Sequence, residues 1–487
     1  MSNYRKGTAA QALVPIGFLV LILVLNVIFF GGDASYGPNQ IALLLAAATA
    51  ALIAYRNGMQ WTQIMKGILT SINHAMPSIL ILLLIGALAG TWLISGIVPA
   101  MIYYGLHVLT PKVFLFAACI VCMIVSLATG SSWSTAATVG VALMGIGNAL
   151  GLNAGLVAGA IISGSYFGDK MSPLSDTTNL APAMAGTDLF THIRYMLITT
   201  VPSIAIALIL FIIFGLAADD AMSIEKIAAV QETIESSFNL SPLLFLVPAA
   251  VIFMIIKKVP ALPALLVGVL LGAVCAVVFQ GWFSDNNLLL SLSPLNAEEY
   301  TSSWQHYYSA ITQAMYGDIQ IASDNEMVSG LLKSSGMMGM MFVILLVIAA
   351  MVFGGVMESA GFLQAMVNVL IKRVEKTFAL VASTTGTCIF FNLTASEQYV
   401  SLVVPGRMFA DVYKDKGLEP RLLSRTLEDS GTVTSVLIPW NSCGAYHREV
   451  LGVGPEMYLP YAFFNLISPI MTITVAAIGY KIKRVKN

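Results

Sequence analysis

Stretches of about 20 apolar residues recur along the whole chain, and they constrain its fold more than any other feature. A bilayer core of about 30 Å is crossed by about 20 residues of helix, and a helix satisfies its own backbone hydrogen bonds inside the lipid. The sequence therefore predicts an all-α polytopic membrane protein. We predict full crossings at residues 13–31, 40–55, 77–95, 196–216, 241–256, 260–280, 336–357 and 458–481.

Composition excludes several other classes of protein. Only 10% of the 487 residues are charged, whereas a soluble domain carries about 25%. The chain has no basic stripe for nucleic acid, and it contains neither an H-E-x-x-H nor a G-x-S-x-G sequence, so no enzyme is predicted. Cys119 and Cys122 lie one turn apart in an apolar segment, which favours packing over redox chemistry. No cofactor is predicted.

Lysine and arginine residues indicate the orientation, because they concentrate on the cytoplasmic side of membrane proteins. They cluster near the N-terminus, around residues 56–66, at 257–258, at 372–376 and in the C-terminal tail. The segments 31–40, 217–239 and 281–335 are acidic and hold few basic residues. We therefore expect a protein of the cytoplasmic membrane with both termini in the cytoplasm.

Two polar motifs occur twice, about 260 residues apart. "ATGSSWST" (128–135) corresponds to "FFNLTASE" (390–397), and "GDKMSPLSDTTN" (168–179) corresponds to "EDSGTVTSVLIPWN" (428–441). The connection between the motifs is rich in basic residues in the second copy and has none in the first. Because basic segments stay inside, the two copies are predicted to have inverted topology.

Each predicted repeat contains a re-entrant hairpin followed by a broken helix. Proline and glycine explain the breaks: Pro173 and Pro182 in the first repeat, and Gly431, Pro439 and Gly444 in the second. The first half of the first broken helix is predicted to end at residue 167. The predicted organisation is a first repeat 1–216 with hairpin 112–150 and broken helix 155–190, an external linker 217–240, and a second repeat 241–487 with external loop 281–335, hairpin 376–414 and broken helix 421–456.

The polar motifs contain carboxylates at membrane depth, where each costs about 2.5–3.5 kcal/mol and marks an ion or proton pathway. Carboxylate, hydroxyl and amide oxygens are ligands of hard cations. Inverted repeats with broken helices point to alternating access rather than to a channel. The predicted cation- and proton-binding residues are Asp169, Asp176, Thr177, Asn179, Ser131, Ser132, Ser134, Asn392, Thr394, Glu397, Asp429, Thr432 and Asn441, of which Asp169, Asp176 and Asp429 are predicted sodium ligands.

Structural roles remain open for the same residues. Asp169 and Asp429 could cap helices or pair with a neighbouring basic residue, and the serines of the hairpin tip could form a turn. Asp176 and Asn179 could cap the second half of the broken helix. Lys170 could pair with Asp169 or Asp176, or it could be the counter-charge of a proton-coupled site.

The motifs also resemble those of a known family. "YFGDKMSPLSDTTNLAPAMAGTDLFTHIR" (166–194), "TGSSWSTAATVGVAL" (129–143), "PGRMF" (405–409) and "EDSGTVTSVLIPWNSCGAY" (428–446) are similar to NhaC-type sodium/proton antiporters of the ion transporter superfamily. The resemblance implies an elevator-type homodimer in the lipid bilayer that exchanges sodium, the coupling ion, for protons.

The same resemblance leaves an alternative cargo. The family includes exchangers similar to sodium-lactate/malate-proton antiporters, and some relatives carry amino acids. The alternative function is therefore sodium- and proton-coupled exchange of a small organic anion or an amino acid. Arg407 would then hold an organic carboxylate, but it could equally neutralise Glu397 or lie near the inner headgroups.

Overall fold

The computed structural model describes residues 5, 7–30, 33–34, 36–217, 224–283, 287–296, 302–321, 332–371 and 376–484. Most of the acidic residues predicted for the external loop, and most of the basic cluster at 372–376, lie outside the described residues.

Helices make up most of the described chain. The α-helices are Ala9–Phe30, Pro38–Arg56, Trp61–Ile94, Ile97–Val108, Pro111–Thr129, Ser132–Thr135, Val141–Ala149, Ala154–Met171, Asp176–Ala185, Leu189–Leu216, Ile224–Ser237, Leu246–Ile256, Ala261–Cys275, Leu288–Ser291, Ser303–Tyr316, Gly336–Gly339, Met341–Ser359, Phe362–Ile371, Thr377–Thr394, Gln398–Asp415, Pro420–Leu427, Ser442–Leu451, Pro455–Tyr458 and Phe463–Ile478. The π-helical turns are Ala136–Gly140, Ala276–Trp282 and Glu428–Thr432, and the 3₁₀ turns are Pro242–Phe245, Ser435–Leu437 and Leu459–Tyr461.

One small sheet accompanies these helices. The strands Ile319–Gln320 and Lys333–Ser334 pair in antiparallel fashion within the predicted external loop. The prediction of an all-α chain is therefore corrected by this two-stranded sheet. The loop also contains the helix Ser303–Tyr316, which packs against the long helix Trp61–Ile94.

Eight of the described helices are long and apolar enough to cross a membrane, or up to ten spans if two bent helix pairs count as one span each. Six of our eight predicted crossings fall on such helices, and the other two fall on the bent pairs. The remaining two apolar helices, Pro111–Thr129 and Thr377–Thr394, are the first arms of the predicted hairpins. The prediction of a polytopic helical membrane protein is confirmed.

The spans differ in how much protein surrounds them. In Ala9–Phe30 only 24% of the apolar window is buried, and Phe29 is 74% exposed. In Gly336–Ser359 the buried share is 72%, because this helix packs against Trp61–Ile94 and Pro38–Arg56. Apolar exposure on this scale is suited to lipid rather than to water.

The first hairpin, residues 111–149, turns sharply at Gly130. This glycine has φ +72°, in the left-handed region that glycine adopts without strain. The next residue, Ser131, is extended, and its hydroxyl accepts a hydrogen bond from the backbone N–H of Ser134 at 3.1 Å. The serine therefore caps the second arm of the hairpin.

The second hairpin, residues 377–415, turns in the same way. Ser396 has φ +57°, and the next residue, Glu397, is extended. The Glu397 carboxylate accepts hydrogen bonds from the N–H groups of Tyr399 and Val400, at 2.5 and 3.2 Å, and so caps the second arm. Both tips are a left-handed residue followed by an extended capping residue.

This shared conformation corrects the register of the two motifs. The motif pairing placed Gly130 opposite Asn392, but Gly130 matches Ser396 in backbone conformation. Ser131 accordingly matches Glu397, the other capping residue. The shift is four residues, about one helical turn, which a weak sequence match does not resolve.

The first broken helix, residues 154–185, breaks later than predicted. Its first half continues to Met171, so Asp169 and Lys170 are still helical. The break occupies residues 172–175, where Ser172 is extended because it precedes Pro173. Pro182 lies inside the second half and does not break it.

The second broken helix, residues 420–451, has a longer break. Its first half continues through the π-helical turn Glu428–Thr432, and its second half begins at Ser442. Gly431 and Gly444 are therefore helical, and Pro439 is the predicted breaker that lies in the break. Glycine is required at position 444 because a Cβ there would collide with the backbone carbonyl of Ile438.

Candidate cation and proton site

A cavity of about 720 Å³ lies where the two hairpin tips meet the first break. Its walls come from residues 129–131 and 133–134 of the first tip, 173–177 of the first break and 397–399 of the second tip. The long helix contributes residues 74–81, and the connection at 255–261 closes the remaining side. We call this space the first cavity.

The charge in the first cavity is predominantly negative. Asp169, Asp176 and Glu397 line it, whereas its basic side chains are Lys258 and His74. A cavity with this lining attracts cations rather than anions.

Asp169 joins the first broken helix to the first hairpin. Its Oδ2 atom accepts hydrogen bonds from the backbone N–H of Ser132 at 3.1 Å and from the Ser132 hydroxyl at 2.7 Å. The side chain lines the first cavity although the residue is only 7% exposed. This carboxylate therefore lies between the first cavity and the tip of the first hairpin.

Lys170, the next residue, contacts a different part of the protein. Its Nζ atom forms an ion pair with Asp429 of the second broken helix, and both side chains are fully buried. Ser468 lies beside the pair, 3.1 Å from Lys170 Nζ and 3.3 Å from Asp429 Oδ1. Neither Asp169 nor Asp176 is the partner of Lys170, so both pairings proposed from the sequence were wrong.

Comparison with known proteins adds to this geometry. The Na⁺/H⁺ antiporter family matches residues 164–480, the region that contains most of the first broken helix, the second hairpin and the second broken helix. The chain is 35% identical to "Na(+)/H(+) antiporter NhaC" of Alkalihalophilus pseudofirmus, over 98% of this chain and 96% of that protein. The chain belongs to the Na⁺/H⁺ antiporter family.

Two further relatives of this antiporter carry other names. It is 34% identical to the "Malate-2H(+)/Na(+)-lactate antiporter" of Bacillus subtilis, over 100% of this chain and 98% of that protein. It is also 35% identical to the "Arginine/ornithine antiporter ArcD" of Halobacterium salinarum, over 98% of this chain and 93% of that protein. Identity is 34–35% to each of these differently named relatives, so the cargo has to be argued from the site.

Arg425 is a site residue that our sequence reasoning missed, because we used it only to orient the chain. Its Nε atom lies 3.8 Å from Asp429 Oδ2, and its guanidinium is stacked over the Tyr195 ring at 4.7 Å. None of its three nitrogens has a hydrogen-bond partner among the described residues. The sequence feature that could have identified Arg425 is its position four residues before Asp429, which places both residues on the same face of the helix.

Glu428 lies beside Asp429 in the second polar motif, but it was not among the predicted binding residues. The Thr177 hydroxyl donates a hydrogen bond to Glu428 Oε1 at 3.0 Å, and Ser175 lies 3.1 Å from Thr177. The other carboxylate oxygen of Glu428 has no hydrogen-bond partner among the described residues. A row of oxygens thus extends from the first break to the second broken helix.

The two predicted asparagines hold the second hairpin against the second break. Asn392 donates to the Gly431 carbonyl at 2.7 Å and to the Thr434 hydroxyl at 3.0 Å. Asn441 donates to Asn392, and its Oδ1 accepts from the N–H of Cys443 and so caps the second half-helix. Both asparagines are buried away from the first cavity and have structural partners.

The remaining predicted residues divide between the cavity and local structure. Asp176 is exposed in the first cavity, 3.5 Å from the hydroxyl of Tyr399. Asn179 donates to backbone carbonyls of the first break, and Thr394 donates to the Phe390 carbonyl of its own helix. The hydroxyl of Thr432 has no hydrogen-bond partner in the described part of the chain.

The three predicted sodium ligands do not form one cluster. Asp169 and Asp176 both line the first cavity, whereas Asp429 lies behind it and is occupied by Lys170. Within the described residues, no three histidine, cysteine, aspartate or glutamate side chains converge as a metal site would require. Arg407 is exposed on the second hairpin and does not line the first cavity.

Proposed function

We propose that this antiporter exchanges sodium for protons across the cytoplasmic membrane by alternating access. The observation that carries the proposal is the divided role of two consecutive residues. Asp169 faces the first cavity and the first hairpin, whereas Lys170 is paired with Asp429 in the other broken helix. An ion that binds Asp169 therefore acts beside a buried contact between the two halves of the chain.

Sodium is the cargo to which the oxygens of the site are suited. The Asp169 carboxylate and the hydroxyls of Ser132, Ser175 and Thr177 are hard ligands, which favour a hard cation. Glu428, hydrogen-bonded to Thr177, supplies a second carboxylate nearby. Asp176 at the cavity surface would attract the ion without holding it.

Protons compete for the same carboxylate. One carboxylate group is neutralised either by a sodium ion or by a proton, so the two ions exclude each other at Asp169. Exclusion of this kind is the condition for exchange rather than for cotransport. The two ions would then cross in opposite directions on successive conformational changes.

The moving parts are proposed to be two inverted repeats that act as an elevator-type transporter in a homodimer. The matched conformations of the two hairpin tips support the repeat, and the ion pair between Lys170 and Asp429 supports coupled movement of the two broken helices. Both termini would lie in the cytoplasm, as the distribution of basic residues predicts.

An organic anion suits this cavity less well than sodium. Malate or lactate would have to bind among three carboxylates, with Lys258 and His74 as the basic side chains of the lining. Because Arg407 lies outside the first cavity, we expect Arg407→Gln to retain most sodium-dependent exchange. A selective loss of malate- or lactate-dependent proton flux in this variant would favour the anion exchanger instead.

The proposal is tested in proteoliposomes that contain a pH-sensitive dye. An inward sodium gradient should drive protons out and make the interior alkaline, and an equal potassium gradient should not. The assay is repeated with malate, lactate or arginine added to the sodium. If the interior pH changes only when one of these organic solutes is present, sodium/proton exchange is not the primary function.

A further inference from the structure

A second cavity, of about 860 Å³, lies against the same two helices as the first. It is lined by the long helix around Ile85 and Leu88 and by the first hairpin around Ala137 and Val141. The two-stranded sheet and the end of the second broken helix, including Glu449, complete its wall. Its lining includes Asp318 and Lys333 from the segment that the sequence predicts to be external.

Only a thin partition separates the two cavities. On the long helix, Ile81 lines the first cavity and Ile85 lines the second. On the first hairpin, Trp133 lines the first cavity and Ala137 lines the second. In both helices the step is four residues, which is about 6 Å along the axis.

An aromatic pair lies beside this partition, because Trp133 lines the first cavity and Tyr446 precedes Glu449 of the second cavity by three residues. The rings of Trp133 and Tyr446 are stacked with centroids 3.9 Å apart and planes 20° apart. The Tyr446 hydroxyl donates a hydrogen bond to the Trp133 carbonyl at 2.7 Å, and the Tyr446 side chain is fully buried. Stacking and the hydrogen bond hold the two rings against each other.

Glu449 follows Tyr446 by three residues and lines the second cavity. Its Oε1 atom is buried and has no hydrogen-bond partner among the described residues. The neighbouring Arg448 is paired with Glu456 instead. A carboxylate oxygen left without a donor at a cavity wall is available to a cation.

We propose that the two cavities are the ends of one cation pathway, that Trp133 and Tyr446 form its barrier, and that Glu449 receives the cation on the side opposite to Asp169. The identity of the cation rests on the proposed function. The barrier, and the side of the membrane to which each cavity opens, do not rest on the proposed function, because cysteine labelling tests both without a transport assay.

The sidedness is tested by labelling introduced cysteines with a membrane-impermeant thiol reagent. The background is Cys275→Ser, because the other four native cysteines are buried. Asn148→Cys in the second cavity should be labelled faster from outside the cell than from inside, and Leu174→Cys in the first cavity faster from inside than from outside. Faster labelling of both positions from the same side would overturn the pathway.

The barrier is tested by removing the aromatic pair in the Leu174→Cys background. Trp133→Ala should make this cysteine react from outside at least tenfold faster, whereas Tyr446→Phe, which keeps the stacked ring, should not. Trp133→Leu is the second variant if Trp133→Ala fails to give a monodisperse protein. Unchanged external labelling in a folded Trp133 variant would show that the pair is not the barrier.

The role of Glu449 is tested by the sidedness of sodium activation. Glu449→Gln should raise, several-fold, the sodium concentration needed for half-maximal exchange from the outer side and leave the inner side unchanged. The matched control is Glu235→Gln, an external carboxylate outside both cavities that contacts Tyr103. Equal changes on both sides, or none, would contradict the role. Absence of exchange in the unaltered protein would instead contradict the proposed function.

Discussion

Asp169 and Lys170 are consecutive residues whose side chains enter different networks. Successive side chains of a helix point about 100° apart, so one faces the first cavity and the other faces the second broken helix. Asp429 receives Lys170 directly and has Arg425 at 3.8 Å. The site therefore combines the Asp169 carboxylate, which faces the first cavity, with the Asp429 carboxylate, which lies between Lys170 and Arg425.

Asp169→Asn should lower sodium-dependent proton exchange by at least tenfold, because an amide can neither bind a proton nor balance a sodium charge. Expression and folding should be retained, since the amide still accepts hydrogen bonds from Ser132. The measurement is dye quenching in proteoliposomes. Asp188→Asn is the control, because asparagine still caps the following helix as Asp188 does. Exchange that persists with normal sodium dependence would reduce Asp169 to a structural role.

Lys170→Met should destabilise the protein by about 3 kcal/mol, because it leaves the buried Asp429 charge without its direct partner. The double variant Lys170→Met/Asp429→Asn should recover much of this loss, since both charges are removed. Thermal unfolding of the detergent-solubilised protein measures both effects. Glu456→Gln, which removes the partly exposed pair with Arg448, is the control and should cost about 1 kcal/mol or less. A double variant no more stable than Lys170→Met would contradict a direct interaction.

At the scale of elements, the hairpin tips and the helix breaks are stabilised by side-chain caps. Ser131 and Glu397 cap the second arms of the hairpins, and Ser175 and Asn441 cap the second halves of the broken helices. Each cap satisfies backbone N–H groups at the start of a helix, which have no partner within the helix itself. The short polar motifs therefore cap the helices and also supply side chains to the candidate site.

Gly444→Ala should destabilise the antiporter by about 1–3 kcal/mol, because the new Cβ would press on the Ile438 carbonyl in the second break. Gly386→Ala is the matched control, since nothing lies within 4 Å of a Cβ at that helical glycine. The control should be neutral or slightly more stable, as alanine favours helix over glycine. Equal effects of the two substitutions in thermal unfolding would refute the close approach at Gly444.

At the scale of the whole molecule, the two halves are connected through the broken helices. Lys170 pairs with Asp429, Thr177 binds Glu428, and Tyr446 binds the carbonyl of Trp133. Each of these contacts joins residues more than 250 positions apart in the sequence. Any movement of one half relative to the other has to break these contacts or move both partners of each contact together.

The proposed inverted arrangement of the two repeats predicts on which side of the membrane two connections lie. A reporter fused after Gly151 should lie outside the cell, and one fused after Lys416 should lie inside, because only the second connection is rich in basic residues. Activity of a periplasmic reporter and fluorescence of a cytoplasmic reporter measure the two positions. Both reporters on one side would remove the argument for inverted repeats.

Features that depend on local chemistry could be predicted from the sequence. The length of apolar stretches predicted the helical membrane fold, and Pro173 and Pro439 correctly marked the two breaks. The motifs around Asp169 and Asp429 supplied the residues of the candidate site, and their role in ion binding stays a prediction. Breaks attributed to Pro182, Gly431 and Gly444 were wrong, because proline and glycine also occur within helices when their neighbours compensate.

Partners that are distant in the sequence were decided by the tertiary structure alone. The first broken helix packs against the second with the face that carries Lys170. Lys170 therefore pairs with Asp429, whereas Asp169 faces the first cavity. The stacking of Trp133 on Tyr446 likewise depends on how the first hairpin packs against the second broken helix. A helical pattern specifies which residues share a face, but helix packing specifies what that face meets.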